Sequence, residues 1–206
     1  MVTKIDYKKE LKHLYNPPKK EPVILDVPAM NFLMIDGKGD PNTAQEYKDA
    51  ITTLYPLAYT IKFAVKEKAE VNFTVMPLEG LWWVPDMELF SVEDKNAWFW
   101  TAMMMQPEQV TRELFDESLQ QVREKKNPPS IDKIRWENYA EGLSVQLMNI
   151  GPYADEGPNI ARMHAYAFEQ GYELRGKHHE IYLSDPNRTA PERLKTVIRQ
   201  PIQKAA

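Results

Sequence analysis

The sequence has no cysteine, only 8 glycines and no long apolar run among its 206 residues. The missing cysteine excludes disulfides, thiolate zinc sites, iron–sulfur clusters and a cysteine nucleophile. No segment approaches the ~18 apolar residues of a membrane span, and residues 1–21 are charged throughout, without the apolar region of a signal peptide. We therefore expect a cytoplasmic protein with no membrane partner.

Excess positive charge is also missing. The chain has 26 Lys and Arg residues against 30 Asp and Glu residues, which gives a formal net charge of −4 at pH 7. Because no global positive field attracts polyphosphates, we expect no nucleic-acid partner. Gly37 and Gly39 lack the third glycine of a dinucleotide-binding fingerprint, and the sequence has no phosphate-binding loop and no nucleophile elbow. We expect no cofactor.

Aromatic residues and methionine are abundant, with 5 Trp, 10 Tyr, 7 Phe and 10 Met. They are concentrated in a few segments: Trp82-Trp83, Trp98-Phe99-Trp100, Met103-Met104-Met105, and Trp136 with Tyr139. Neighbouring residues of a strand point to opposite faces, so Trp82 and Trp83 cannot both face the core. Packing in the core remains the alternative for any single ring. The pattern predicts that some of these side chains line a surface for flat, apolar ligands, with methionines as adaptable neighbours.

Hydrophobic periodicity and turn residues predict a mixed chain of helices and strands. The elements predicted before residue 127 are a short helix over Tyr7–Tyr15, an extended arm over Lys19–Pro28, a strand over Asn31–Asp36, a helix over Ala44–Lys66, strands over Phe73–Met76, Leu81–Val84 and Ala97–Met105, and a connecting helix over Gln106–Lys126. The elements predicted after it are strands over Ile131–Tyr139 and Leu143–Ile150, a helix over Asn159–Gln170, and strands near His178–Ser184 and Leu194–Arg199. Pro56 lies inside the long helix and predicts either a kinked axis or two shorter pieces.

The two halves of the chain show the same order of elements. The run Asn31–Gly37 aligns with Val145–Gly151 at an offset of 114 residues, and each run is a predicted strand that ends in a glycine before a turn and a helix. Only Leu, Met and Gly coincide, so the order of elements carries more weight than the identities. We predict an α+β fold of two βαββ units related by a pseudo-twofold axis, whose antiparallel sheet has helices on one side and a concave face on the other. The predicted boundaries are 1–30 for an N-terminal helix and arm, 31–105 for the first unit, 106–130 for the connection and 131–202 for the second unit.

The segment His178–Ser184 alternates polar and apolar residues, as a half-buried strand does. His178, Glu180, Tyr182 and Ser184 then share one face, with about 6.6 Å between neighbours. Glu180 and Tyr182 could therefore contact one small molecule together, with the carboxylate as a countercharge or a general base. A solvated polar face is the alternative. The adjacent histidines point to opposite faces and no cluster of His, Asp and Glu completes a ligand set, so we expect no metal site.

Two tyrosines of the predicted long helix form a second candidate group. Tyr55 and Tyr59 lie four residues apart and therefore on one side of the helix. Their hydroxyl groups could reach a ligand, and the alternative places the rings in the core with the hydroxyl groups at its rim. The spacing alone leaves both interpretations open.

Several motifs, in the same order, resemble the GyrI-like small-molecule-binding family over about Lys4–Ile202. The matching segments are Gly37–Asn42, Leu54–Lys62, Pro77–Trp83, Gln146–Tyr153 and His178–Pro186. The resemblance implies tandem βαββ units of the SHS2 type with an aromatic cleft, and an acidic residue deep in that cleft, which the Glu-Ile-Tyr-Leu motif places at Glu180. Relatives that regulate transcription in response to drugs carry an N-terminal DNA-binding domain. The roughly thirty residues before the first predicted strand are too few for one.

The chain is also similar to a stand-alone branch of this family that hydrolyses cyclopropane-bearing genotoxins by adding water to an activated three-membered ring. The resemblance implies that Glu180 orients or deprotonates the water and that Tyr55 or Tyr182 donates to the developing oxyanion. The residues predicted for binding the planar substrate are Trp82, Trp98, Trp136, Tyr59, Met104 and His178. The implied activity is then a detoxifying hydrolase. The alternatives are a protein that binds and sequesters planar or cationic drugs without chemistry, a sensor module, or an inhibitor of a partner protein.

Overall fold

The computed structural model describes residues 1–87, 90 and 94–205. It shows the predicted α+β class, with antiparallel strand pairing throughout the main sheet segments. The chain divides into two compact units. Unit 1 comprises Met1–Tyr7, Met30–Met76 and Trp82–Tyr139, and unit 2 comprises Lys8–Ala29, Pro77–Leu81 and the chain from Ala140 onward.

Both units contain strands and helices. The described strands are β1 (Thr3–Ile5), β2 (Val23–Val27), β3 (Met30–Lys38), β4 (Val71–Phe73), β5 (Leu78–Trp83), β6 (Phe99–Gln106), β7 (Arg135–Tyr139), β8 (Gly142–Ile150), β9 (Tyr172–Leu174), β10 (His178–Tyr182) and β11 (Lys195–Lys204). The described α-helices are α1 (Tyr7–Glu10), α2 (Lys12–Tyr15), α3 (Gln45–Ala69), α4 (Arg112–Lys125) and α5 (Gly157–Glu169). Short 3-10 turns lie at Lys95–Ala97, Tyr153–Asp155 and Pro191–Arg193.

In unit 1, β3 lies between β6 and β7 and pairs antiparallel with both. The register places Leu33 directly opposite Met104 on one side and Trp136 on the other. Paired residues of neighbouring strands project from the same face. The helix α4 reaches this face, because Phe115 contacts the ring of Trp136 at 5.9 Å between centroids. Leu33, Met104 and Trp136 are therefore on the face of these strands that α4 contacts.

The helix α3 is continuous through Pro56. Apolar side chains at three- and four-residue steps predict this helix, and Leu54, Leu57 and Ile61 are fully buried on its inner face. Of the two outcomes that Pro56 predicts, the division into two pieces is wrong. Burial of Leu54 and Leu57 on either side of the proline holds both turns against the same core, which offsets the one missing backbone hydrogen bond. Thr60 Oγ1 donates to the carbonyl oxygen of Pro56 at 2.9 Å.

Several predicted boundaries are wrong, for local reasons. The helix predicted over Tyr7–Tyr15 is interrupted at Leu11, which leaves α1 and α2. The connecting helix begins later than Gln106, because that residue ends β6 and Thr111 supplies the N-cap by accepting a hydrogen bond from Leu114 N at 3.2 Å. In the described part of the chain, no helix combines the length and the apolar composition that crossing a membrane requires.

In unit 2, β11 pairs antiparallel with β8 and β10, and β2, which lies within the predicted arm, pairs with β8. One face of these strands packs against α5. The buried residues of that core are Val145, Leu147, Met163, Ala167, Ile198 and Ile202. The opposite face carries a polar row, because the register aligns His179 with Arg199 and Arg199 with Gln146. Unit 2 thus has an apolar core under α5 and a polar, buried row on the opposite face of the strands.

Candidate functional site

Glu180 lies on the face of unit 2 that α5 covers. Its register partner is Ile198, which packs against α5, so both side chains project to that side. The hydroxyl group of Tyr182 donates to Glu180 Oε2 at 2.8 Å, and His178 Nε2 lies 3.4 Å from Glu180 Oε1. The structure therefore brings together three of the predicted site residues, and the alternation predicted for this strand is confirmed. The Glu180 side chain keeps 15% of its surface exposed, which leaves room for contact with a small molecule.

A second carboxyl group, Glu156, faces the same site. It precedes α5 directly and is only 3% exposed. Asn149 Nδ2 donates to Glu156 Oε1 at 3.1 Å, and Asn159 Nδ2 donates to Asn149 Oδ1 at 2.6 Å, which fixes the orientation of the Asn149 amide. Sequence reasoning missed Glu156, because its segment is rich in turn residues and is read as a loop.

Glu156 is a weak acid in this environment. Burial raises its pKa, and the negative charge of Glu180 raises it further, to about 8. The polar side chains of Thr196 and Asn149 favour the carboxylate and lower the pKa, but their effects are smaller. At pH 7 the site therefore contains a protonated Glu156 beside Glu180, which is the arrangement that lets two carboxyl groups serve different roles.

Two histidines border the carboxyl groups. Burial lowers the pKa of His164, on α5, and the charge of His178 lowers it further, to about 4, so His164 is uncharged at pH 7. Its Nε2 is buried and has no hydrogen-bond partner among the described residues. Within the described residues, no group of three or more His, Asp and Glu side chains is arranged to hold a metal ion.

Aromatic side chains flank the acidic pair within unit 2. The rings of Tyr153 and Tyr182 meet edge to face at 5.4 Å between centroids. Tyr153 is 38% exposed. The polar groups are thus bordered by an amphipathic ring that is open to solvent, which suits a flat organic ligand.

On the opposite face of unit 2, His179 is the centre of a fully buried ionic cluster. His179 Nε2 contacts Glu79 Oε2 at 3.0 Å, and its Nδ1 contacts both carboxylate oxygens of Glu141 at 3.0 Å. Arg199 Nη1 donates to Glu141 Oε2 at 3.0 Å, and the Tyr15 hydroxyl donates to Glu79 Oε1 at 3.0 Å. We call the set Tyr15, Glu79, Glu141, His179 and Arg199 the His179 cluster.

The His179 cluster holds two acids and two bases in a site without solvent. Burial lowers the pKa of His179, but the charge and hydrogen bonds of Glu141 and Glu79 outweigh it and raise the pKa to about 9. Burial raises the pKa of Glu141, but the charges of His179 and Arg199 outweigh it and lower the pKa to about 2. The two basic groups, His179 and Arg199, are thus the positive partners of the two acidic groups, Glu79 and Glu141.

Unit 1 carries a buried group of aromatic rings. Trp82 contacts Tyr47 and Trp98, each at 5.6 Å between centroids, and Tyr47 meets Trp100 edge to face at 5.0 Å. Trp82 is 2% exposed and Trp98 is 7% exposed. The indole Nε1 atoms of Trp82 and Trp100 are buried without a hydrogen-bond partner in the described residues. Trp83 is not in the core and stacks on Phe99, as the strand alternation predicts.

The other predicted ligand-binding residues of unit 1 divide by exposure. Met104 is fully buried and Trp136 is half-buried. Tyr55, Tyr59 and Phe63 follow each other at four-residue steps on α3, and all three side chains are exposed. We call these three residues the α3 aromatic stripe. Sequence reasoning singled out its two tyrosines and missed Phe63.

A family model described as the GyrI-like small molecule binding domain matches residues 20–203. The chain belongs to the GyrI-like family. This GyrI-like protein is similar to an uncharacterized conserved protein from Listeria innocua, known from a crystal structure. The two sequences are 40% identical, the match covers 97% of this chain and 100% of that chain, and the TM-score is 0.90. No curated protein sequence matches this GyrI-like protein.

Two further crystal structures are similar to this chain. A hydrolase from Listeria innocua is 39% identical, with a TM-score of 0.86 and coverage of 98% of this chain and 100% of that chain. The C-terminal domain of EcmrR is 11% identical, with a TM-score of 0.56 and coverage of 90% and 98%. The second likeness concerns the fold alone. A small-molecule ligand is therefore the expected partner of this GyrI-like protein.

Proposed function

We propose that the protein hydrolyses a planar small molecule with an activated cyclopropane ring, and that Glu180 acts as the general base. The observation that carries the proposal is the acidic pair of unit 2, a partly exposed Glu180 beside a buried Glu156. The likeness to a hydrolase at 39% identity supports hydrolytic chemistry. The choice of a cyclopropane substrate follows from the family resemblance.

The reaction needs only the groups that unit 2 provides. Glu180 accepts a proton from water while the water oxygen bonds to a ring carbon. The bond between that carbon and the conjugated system breaks, and its electron pair moves to the conjugated carbonyl oxygen. The proton that Glu180 accepted is then released to solvent and the oxygen takes up one proton, which completes the addition of water and restores the carboxylate. The hydroxyl group of Tyr182 donates to Glu180, which orients the carboxylate for the water.

The oxyanion donor and the stacking residues are assigned from the resemblance. Within unit 2, Tyr182 would donate to the developing oxyanion and His178 would contact the planar ring system. Within unit 1, the resemblance gives ligand contacts to Trp82, Trp98, Trp136, Tyr59 and Met104, and gives Tyr55 as the alternative donor. The exposed α3 aromatic stripe supports a stacking role for Tyr59, and the orphaned indole nitrogen of Trp82 supports a ligand acceptor near that ring.

The base is tested with Glu180→Gln. We expect hydrolysis of a spirocyclopropyl dienone, followed by chromatography of the alcohol product, to fall about 100-fold, because the amide cannot accept the proton of water. Binding of the same compound, followed by tryptophan quenching, should persist. The matched control is Glu169→Gln on the exposed side of α5, which should keep the wild-type rate. An unchanged rate in Glu180→Gln would remove Glu180 from the mechanism.

The stacking role is tested with Tyr59→Ala. Loss of one ring contact is expected to weaken ligand binding about two- to twelvefold, since such a contact contributes about 0.5–1.5 kcal/mol. Tyr59→Phe keeps the ring and should restore most of the affinity. Equal affinity in Tyr59→Ala and the wild type would exclude Tyr59 from the ligand surface.

A protein that binds planar cations without chemistry is the second candidate. The acidic pair favours it, because a carboxylate beside aromatic rings attracts a delocalised cation. Product analysis separates the two functions. Quenching by a panel of planar dyes with no product from any activated cyclopropane would favour sequestration over hydrolysis.

A further inference from the structure

Glu156 and Glu180 place two acidic groups over one patch of the unit 2 sheet. Tyr182, Thr196 and Asn149 are register partners across β10, β11 and β8, and therefore share one face. Glu156 accepts from Asn149 at one end of this row, and Glu180 accepts from Tyr182 at the other. The row crosses two strand spacings of about 4.8 Å each, which gives about 10 Å between its ends. The two carboxyl groups interact over this row, because the charge of Glu180 raises the pKa of Glu156.

Few charged groups face Glu156. Glu180 and His178 approach from β10, His164 approaches His178 from α5, and Tyr153 lies against Tyr182. The groups that change the pKa of Glu156 are the charge of Glu180, which raises it, and the polar side chains of Thr196 and Asn149, which lower it. A second negative charge beside Glu180 is therefore unfavourable, and a proton on Glu156 removes it.

We propose that Glu156 sets the charge of the ligand site, holding a proton when the site is empty or contains an uncharged ligand and releasing it when a cationic ring system binds. The inference rests on the proposed binding of planar molecules at Glu180. It adds a selectivity rule to that site. An uncharged ligand meets one carboxylate, whereas a cation meets two.

The physical basis is linkage between proton and cation. A cation beside the acidic pair stabilises the ionised form of Glu156 and lowers its pKa below about 8. At pH 7 binding then releases a proton. Reciprocally, affinity for a cation rises as the pH increases through the titration of Glu156, by about tenfold between pH 7 and pH 9.

The wild-type protein is sufficient for the first test. The probes are phenanthridine, which is uncharged at pH 7, and its permanently charged N-methyl derivative, which has nearly the same shape. Titration calorimetry in two buffers of different ionisation enthalpy measures protons released on binding. We expect release of about half to one proton with the cation and none with the uncharged probe. Equal proton release with both probes would overturn the inference.

The second test assigns the proton to Glu156. Glu156→Gln reproduces the shape and hydrogen-bond acceptor of the protonated acid, so Asn149 keeps its partner. Whatever its affinity for the uncharged probe, the variant should lose the tenfold rise in cation affinity between pH 7 and pH 9. His178→Asn, whatever its affinity, should keep that rise. Loss of the rise in His178→Asn alone would assign the proton to the histidine and overturn the inference.

The two proposals fail separately. If Glu180→Gln abolishes cation binding but the cation affinity of the wild type does not depend on pH, the proposed ligand site is supported and the proposed role of Glu156 is wrong. If neither probe binds, the proposed ligand site and this inference are both wrong. Thermal unfolding of each variant verifies the fold, and the wild-type calorimetry decides the matter even where a variant does not fold.

Discussion

Replacing His179 by alanine should lower the free energy of unfolding by about 3–5 kcal/mol. The substitution removes the cation between Glu79 and Glu141, and both carboxylates stay at 2% exposure or less. Neither can reach water without disrupting the sheet, so the native state must accommodate uncompensated buried charge. Urea denaturation at pH 6.5 measures the difference. The matched control is His13→Ala, because the His13 side chain is exposed and only its backbone oxygen is used, by Gln146 Nε2. The free energy of unfolding of His13→Ala should stay within about 0.5 kcal/mol of the wild-type value.

The same substitution should change the dependence of stability on pH. The pKa of His179 is raised from 6.5 to about 9 in the folded protein, so its stabilisation is fully present below pH 6.5 and is lost as the pH rises through about 9. The pKa of Glu141 is lowered from 4.5 to about 2, so its stabilisation is present above pH 4.5 and is lost as the pH falls toward 2. The difference in the free energy of unfolding between the wild type and His179→Ala should therefore decrease as the pH rises from 6.5 to 9. A constant difference over that range would contradict the charged state of His179.

Gly37→Ala is expected to destabilise unit 1 by about 2–3 kcal/mol. A Cβ atom at this position would lie 2.2 Å from Cζ2 and Cη2 of Trp100, which is fully buried and opposite Gly37 in the pairing of β3 with β6. The indole cannot move freely, because Tyr47 packs edge to face against it. Urea denaturation should show the loss, and the tryptophan emission of the native state should shift.

A double-mutant cycle verifies the cause. Trp100→Phe removes the two ring atoms that the new Cβ would meet, at the cost of a cavity. The combined Gly37→Ala and Trp100→Phe variant should then be more stable than the sum of the two single effects indicates. Strict additivity would show that the loss in Gly37→Ala has another origin, such as altered strand pairing.

Much of the fold follows from local pattern. The helix α3 is predicted because apolar side chains recur at the helical period over more than five turns, and β10 because polar and apolar residues alternate. Two boundaries do not follow from local pattern. The start of α4 is decided by an N-cap hydrogen bond, and the break between α1 and α2 is decided by the single residue Leu11. The continuity of α3 through Pro56 is a tertiary effect, because it depends on the packing of Leu54 and Leu57 against one core.

The candidate site is predictable only where its residues share one strand. Glu180, Tyr182 and His178 follow from the alternation of β10. Glu156 does not, because its proximity to Glu180 depends on how the turn before α5 folds over the sheet. The His179 cluster likewise joins positions that are 38 and 100 residues apart in sequence, and no local pattern connects them.

Charge matching in the His179 cluster constrains how such a chain can evolve. With two acids and two bases held away from water, any one exchange that alters charge creates an unneutralised ion, so intermediates on a stepwise mutational route are disfavoured. Substitutions at Glu79, Glu141, His179 and Arg199 should hence co-vary among homologues, either all retained or replaced together by apolar side chains of similar volume.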